Sequence, residues 1–440
     1  MSSPSGKPSY SAVLRRPYAL RTFAAATVGR FSYGIVFLSL TLALSRTAGS
    51  YAWAGTAVAC SGLGSSVVAP LRARLLDRRG PRRVLPVMAA VYATLLATLA
   101  VATWGPGTPP WALLVLTLSA GVCAPPLGPV MRALWSDLTP DGELRQRAFS
   151  LDTVVEELLY VFGPLAAGLV TALGNPALGV GVGAVLVLTG TLGLITSPLL
   201  RSQAPGAATD EPDTEPARAD GATTDGPAAD GPGAGSEQGS SPDGETRGRV
   251  GLPAAVVVAG AVGMSLGALE LLVVAFADQH HHVAAVAWIQ AALSVGSVVG
   301  GMAYGARTWR LPSGQRLFLL AFALSAALAG AAAVSDLYAL AVVAGCVGLF
   351  VAPALSTAYL VADERATAKT RIQAGTWVNS AFNAGNAGGT TTAGLVLGQL
   401  PLSLCFVAAA APTLASTATA LVRPRRTVRA AAPTGIASGG

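Results

Sequence analysis

The sequence has 440 residues, of which 52% are hydrophobic and only 12% charged, and its mean hydropathy is +0.55. A soluble domain carries roughly 25% charged residues, and one this poor in charge would expose too much apolar surface; the apolar content also excludes disorder for most of the chain. The net charge of +7 does not point to nucleic acid, because 10 of the 22 acids lie in 201–249 and the 29 basic residues gather at the ends of apolar runs.

A membrane-spanning helix needs about 20 mostly apolar residues. Twelve candidates follow along the chain: 18–44, 51–71, 84–104, 111–133, 148–173, 177–200, 252–277, 284–306, 317–334, 337–361, 372–398 and 401–422. Gly and Pro inside them do not argue against helix, since packed spanning helices tolerate both. With the N-terminus in the cytoplasm, 27 of the 29 basic residues fall on the cytoplasmic side, Arg46 lies outside and Arg30 lies within the first span. An even number of spans then returns the C-terminus to the cytoplasm. Between the sixth and seventh spans, 201–249 is Gly, Pro, Ala, Asp and Glu with almost no large apolar side chain. Such a segment cannot offset its ordering entropy. The expected organisation is a six-helix bundle over 1–200, a disordered cytoplasmic linker over 201–249 and a second bundle over 250–440. Cys60, Cys123, Cys346 and Cys405 all lie in apolar runs and read as small core residues, not disulfides or metal ligands.

A faint internal repeat supports two related halves. Gly121 and Pro126 match Gly348 and Pro353 at an offset of 227, and Ala167-Gly168-Leu169-Val170 matches Ala393-Gly394-Leu395-Val396 at 226. Duplicated six-helix halves are a pattern of many secondary transporters.

Charges within spans are costly and mark candidate sites. Arg30 lies about 12 residues into the first span, roughly 18 Å deep and near the midplane. It needs an anionic partner, and Glu156 and Glu157 are the expected ones, with Asp152 one turn before Glu156 on a shared face. Such an acid can load and release a proton as a cavity changes sides. The competing reading is a structural ion pair that also draws on Arg132. Glu270, in the outer third of the seventh span, lines an outer vestibule or turns outward. Asn379, Asn383 and Asn386 recur at i, i+4, i+7 beside Gly385, Gly388 and Gly389, as helix glue or as cavity contacts. In the fifth span, Gly163-Pro164 can kink the helix and admit a close neighbour. His280, His281 and His282 read as a polar loop, and neither metal nor cofactor is expected. No phosphate-binding loop, zinc-protease or nucleophile-elbow motif appears, which argues against ATP drive and against an enzyme.

The loop after the second span reads Ala73-Arg74-Leu75-Leu76-Asp77-Arg78-Arg79-Gly80-Pro81-Arg82-Arg83. It resembles the loop 2–3 signature of the major facilitator superfamily, with Ala73 where the family has Gly. Together with the layout of six spans, linker and six spans, the resemblance covers nearly the whole chain. It implies a conformational latch at Asp77, Arg78, Gly80 and Arg82 that holds two halves in an outward-facing state. Gly163-Pro164 with Ala167-Gly168 is similar to the second half of the family's antiporter motif, which favours export; the first half is replaced by Asp152, Glu156 and Glu157. The wording of spans 4, 5 and 11 looks like a branch of actinobacterial permeases.

The sequence therefore implies an all-α integral membrane protein of twelve transmembrane helices in two six-helix pseudo-repeats. It would be a monomer in a bacterial cell membrane, moving a small, amphipathic molecule by alternating access, with export driven by protons. Uptake or facilitated diffusion of a nutrient is the alternative within transport. A sensor or scaffold that kept the fold and lost transport is the alternative of another class.

Overall fold

The computed structural model describes residues 9–202, 251–282 and 284–421, and the described chain is helical almost throughout. The helices are α1 (Tyr10–Leu14), α2 (Ala19–Ala48), α3 (Tyr51–Arg79), α4 (Pro81–Ala102), α5 (Pro110–Cys123), α6 (Leu127–Leu138), α7 (Gly142–Ala172), α8 (Pro176–Ile195) and α9 (Pro198–Ser202). They continue as α10 (Leu252–Gln279), α11 (Ala285–Ala306), α12 (Ser313–Gly330), α13 (Leu337–Arg365), α14 (Arg371–Val396) and α15 (Leu402–Leu421). The expected linker lies outside the described residues apart from 201 and 202, which end α9.

Local chemistry explains the boundaries. Ser50 accepts from Trp53 N and Asp336 accepts from Tyr338 and Ala339 N, so both cap the orphan donors of a first turn. Gly80 has φ +83, a value that suits only Gly, and it separates α3 from Pro81 at the start of α4. The stretch Ala73–Arg79, expected as loop, is therefore the last two turns of α3.

Ten helical units are long and apolar enough to cross a membrane among the described residues, with α5 and α6 counted as one. Expectation was twelve. Of the other two, α14 has 26 residues and a row of Asn, Ser and Thr along it, and the apolar part of α15, Leu402–Thr417, is short. Large apolar side chains stand outward on these helices, including Val67, Val101 and Leu173, each more than 70% exposed. Water would not tolerate that surface, whereas lipid does. The chain is a multi-pass, all-α integral membrane protein.

The fourth expected span is not continuous. Ala124, Pro125 and Pro126 leave the helix between α5 and α6. Single prolines at Pro70, Pro86, Pro164, Pro353 and Pro412 stay inside helices. Two in succession remove adjacent donors, and each disfavours helix in the residue before it.

Buried apolar side chains form two clusters. One is built almost entirely from α1–α9, the other almost entirely from α10–α15. Within each, glycine lets backbones touch. A side chain at Gly163 of α7 would collide with the backbone of Gly34 on α2, and one at Gly389 of α14 with the backbone of Met264 on α10. The two clusters meet where α3 packs on α14, α7 on α11 and α13, and α6 on α14. Only Cys405 of the four cysteines is buried; Cys60 and Cys123 are half-buried and Cys346 is exposed.

Candidate functional site

A cavity of about 270 Å³ opens between the two clusters. Its walls come from α2 (Arg30, Tyr33, Gly34), α3 (Ser65, Ser66, Ala69, Arg72), the α5–α6 break with the first turn of α6, α7 (Glu156, Leu159, Tyr160) and α14 (Thr376, Asn379, Ser380, Asn383). The break itself is held by neighbours: Tyr33 donates to the Pro125 carbonyl, and Arg72 donates to the carbonyls of Gly121 and Ala124.

A chain of buried charges runs along one wall. Arg30 Nη2 lies 2.6 Å from Asp152 Oδ1, and Arg132 Nε lies 3.0 Å from Asp152 Oδ2. Arg132 Nη2 also pairs with Glu156. The guanidinium of Arg132 sits 3.6 Å from the ring centre of Tyr359, whose hydroxyl donates to Asn379 Oδ1 at 3.2 Å. Arg30, Arg132 and Asp152 are at most 4% exposed. Such groups persist in a low-dielectric interior because each meets an opposite charge. The partner of Arg30 is thus Asp152, not Glu156 or Glu157. Asp152 and Glu156 share a face of α7, and Asp152 is the one that meets α2. Glu157 turns to Ser297 of α11, with Glu270 of α10 beyond it. Glu270 in turn neighbours Asn386. Neither Glu157, Glu270 nor Asn386 lines the cavity, while Asn379 and Asn383 do.

At one end, where most of the arginines lie, polar contacts close the gap between the clusters. Asp77 Oδ1 and Oδ2 accept from the backbone N–H groups of Ile372 and Gln373 at 3.2 and 2.9 Å. These are orphan donors of the first turn of α14, so Asp77 caps a helix of the opposite cluster and meets its positive end. Arg78 and Arg82 are exposed, and Gly80 forms the turn. A second acid, Asp363, accepts from Ser136 at 2.6 Å and pairs with Arg371 at 3.0 Å and Arg145 at 3.4 Å. Arg371 also reaches Asp137 at 2.5 Å. Nearby, Arg316 donates to Gln146 and to Tyr304 Oη, and Gln146 donates to the carbonyls of Tyr304 and Arg307.

Sequence reasoning missed several of these groups. Arg72, Arg147 and Arg316 were counted as loop charges, yet all are buried, as is Arg132, which was named only as a partner in a structural ion pair. Asp363 drew no attention in its apolar run. The 227-residue offset could have flagged two positions, because Ser136 and Asp363 are that far apart and touch. Arg132 and Tyr359 have the same separation and also touch. The expected kink at Gly163-Pro164 is a close contact with Gly34 within a continuous helix. His280 stacks on Phe276 and bonds the carbonyls of Phe276 and Ser335.

The profile of the Major Facilitator Superfamily matches residues 22–228. Comparison with curated proteins gives no match. Among solved structures, the human organic anion transporter MFSD10 (TETRAN) is similar over 94% of this chain and 100% of its own, at 14% identity and a TM-score of 0.66. A bacterial homologue of the iron transporter ferroportin, in an outward-facing state with soaked iron, is similar over 91% and 96%, at 14% identity and 0.62. The Major Facilitator Superfamily transporter FucP in the outward conformation covers 92% and 98%, at 13% and 0.60. With its break in α5–α6, its central cavity and its two packed clusters, the chain has the major facilitator transporter fold.

Proposed function

We propose that the protein is a secondary active transporter that moves a small molecule across a membrane by alternating access. Its twelve helical spans form two six-helix pseudo-repeats, 1–200 and 250–440, joined by a cytoplasmic linker, with both termini in the cytoplasm of a bacterial cell. On this reading the arginine-rich end is cytoplasmic and closed, and Asp77 is a latch with Arg78, Gly80 and Arg82 around it. We further propose kinship with a branch of actinobacterial permeases, a reading that rests on the wording of spans 4, 5 and 11 alone.

The observation that carries this reading is a charged cavity at the junction of two separately packed clusters, shut at one end by contacts that cross between them. A rigid scaffold has no need of buried charge at such a junction. Export coupled to protons is the mode we favour. Glu157 stands outside the Arg30–Asp152–Arg132–Glu156 chain and is the acid assigned to the coupling proton.

The test begins with compounds whose toxicity rises when the gene is deleted. Those compounds are then followed in proteoliposomes under an imposed pH gradient. Gradient-driven flux that Glu157→Gln abolishes, while substrate exchange persists, is the expected result. Flux without any gradient dependence would point to facilitated diffusion, and absence of flux for every hit would favour the sensor or scaffold.

A further inference from the structure

The charges around the cavity do not balance. Three guanidinium groups, Arg30, Arg72 and Arg132, are at least nine-tenths buried at its walls or just behind them. Two carboxylates, Asp152 and Glu156, face them. Among the described residues Arg72 is held only by neutral acceptors, the carbonyls of Ser65, Gly121 and Ala124 and the Ser65 hydroxyl. Dipoles of this kind solvate a cation without cancelling its charge. Against these two carboxylates one positive charge is left over, the neighbouring acid of Glu157 being turned toward Ser297 of α11.

Donors remain free as well. Arg30 lines the cavity and is 4% exposed, yet its Nε and Nη1 have no hydrogen-bond partner among the described residues, and neither does Nη1 of Arg132. A buried donor without an acceptor is costly. Gly128 borders both groups. A side chain there would sit 3.7 Å from Arg132 Nη1 and 3.9 Å from both Arg30 Cδ and Glu156 Oε1, so the space beside this glycine is shared by two guanidinium groups and one carboxylate oxygen. Gly128 belongs to the first turn of α6, and Leu127, Gly128 and Pro129 all line the cavity. The break before α6 thus brings the positive end of a helix dipole to the same place.

Surplus charge, free guanidinium donors and a helix N-terminus converge on one spot. We propose that the cavity binds a small organic monoanion, with its carboxylate or equivalent acid group between Arg30 and the first turn of α6, and its apolar body toward Tyr33, Leu159 and Tyr160. This inference rests on the transport reading for its purpose but not for its test. Arg72 supplies the field and Arg30 the hydrogen bonds. Asn379, Ser380 and Asn383 of α14 offer neutral polar contacts on the facing wall.

The test uses the full chain in nanodiscs of zwitterionic lipid, probed with benzoate, 2-naphthoate and octanoate beside the corresponding amides and amines. Carboxylates should raise the unfolding temperature and bind about tenfold or more tightly than their amides, since hydrogen bonds to a charged group are the stronger ones. Arg30→Gln should erase that preference. Because this variant leaves Asp152 with one partner fewer and folding can suffer, Gly128→Val provides a second check: it fills the space beside the guanidinium groups while every charged residue is kept, and should weaken carboxylate binding. Nanodiscs containing phosphatidylglycerol separate a soluble anion from a lipid headgroup. Unchanged benzoate affinity supports a soluble ligand, and competitive loss would mean that the headgroup holds the site. Equal binding of amides, preference for amines, or no carboxylate binding by a folded protein would overturn the proposal. Flux of a neutral or cationic compound without carboxylate binding would overturn it and leave the transport reading standing. Carboxylate binding without any flux would do the reverse.

Discussion

Replacing Asp77 by Asn tests whether one side chain governs the balance between closed and open states. In the closed arrangement its two oxygens accept from Gln373 N at 2.9 Å and Ile372 N at 3.2 Å. Asn offers one acceptor and turns its amide N–H₂ toward the other backbone donor. One bond is lost, and the charge at the positive end of α14 is lost with it. A hydrogen bond to a charged group contributes about 1.5–3 kcal/mol, and a charge at a helix terminus about 0.3–1 kcal/mol. Asp77 is only half-buried, so water takes over part of both contributions when the contact is broken. A net loss of about 2 kcal/mol is reasonable, which shifts the equilibrium about thirtyfold toward the open arrangement. Spin labels on cysteines at the exposed Arg79 and Lys369 would report it. Their distance distribution should broaden and lengthen in Asp77→Asn, with expression unchanged. A distribution identical to wild type, together with unchanged flux, would refute the latch.

Asp363→Asn should loosen the same end through different partners, and combined with Asp77→Asn its effect on the label distances should add, because the two carboxylates share no donor. Asp152→Asn strips the carboxylate from both Arg30 and Arg132 and should cost about 3 kcal/mol or more, read as an earlier thermal unfolding transition in detergent. Gly163→Leu should destabilise by about 1–3 kcal/mol through its clash with Gly34, whereas Gly168→Leu, which meets nothing within 4 Å, should be nearly neutral in the same assay. In a background without native cysteines, Ala48→Cys and Asn175→Cys should react with an impermeant reagent from outside, and Asp225→Cys should not; labelling of the last in sealed cells would overturn the topology.

The spans were legible because twelve apolar runs alternate with basic loops, and ten of them stand as long apolar units. Two features escaped for physical reasons. A run of hydropathy does not say whether a helix is continuous, so Pro125-Pro126 looked like the prolines that helices absorb. Nor does spacing along α7 say which acid faces α2. Asp152 and Glu156 lie on one face, and only the packing of α2, α6 and α7 sets Asp152 between Arg30 and Arg132 and leaves Glu156 with Arg132 alone. The cost of burying charge correctly singled out Arg30. It failed for Arg72 and reached Arg132 only as a secondary partner, because each lies near the end of an apolar run, where a cation reads as a loop residue. Asp77 was found through the short pattern around it, while its partner is a pair of backbone N–H groups about 295 residues away, which no side-chain pattern could announce.

The materials of the contacts differ between the interior of each cluster and the junction. Inside a cluster, at Gly163 with Gly34 or Gly389 with Met264, main chain lies directly on main chain. Separating such surfaces leaves a void that no water molecule can fill favourably. At the junction, the Ser150 hydroxyl donates to the Gly301 carbonyl, the Tyr10 hydroxyl to the Met302 carbonyl and the Gln146 amide to the Tyr304 carbonyl. Every one of those partners can be exchanged for water at nearly equal enthalpy. The molecule is therefore welded where it must stay stiff and fastened with replaceable ties where it must part. Hydration of a few carbonyls on α11 is what the opening of that seam has to supply.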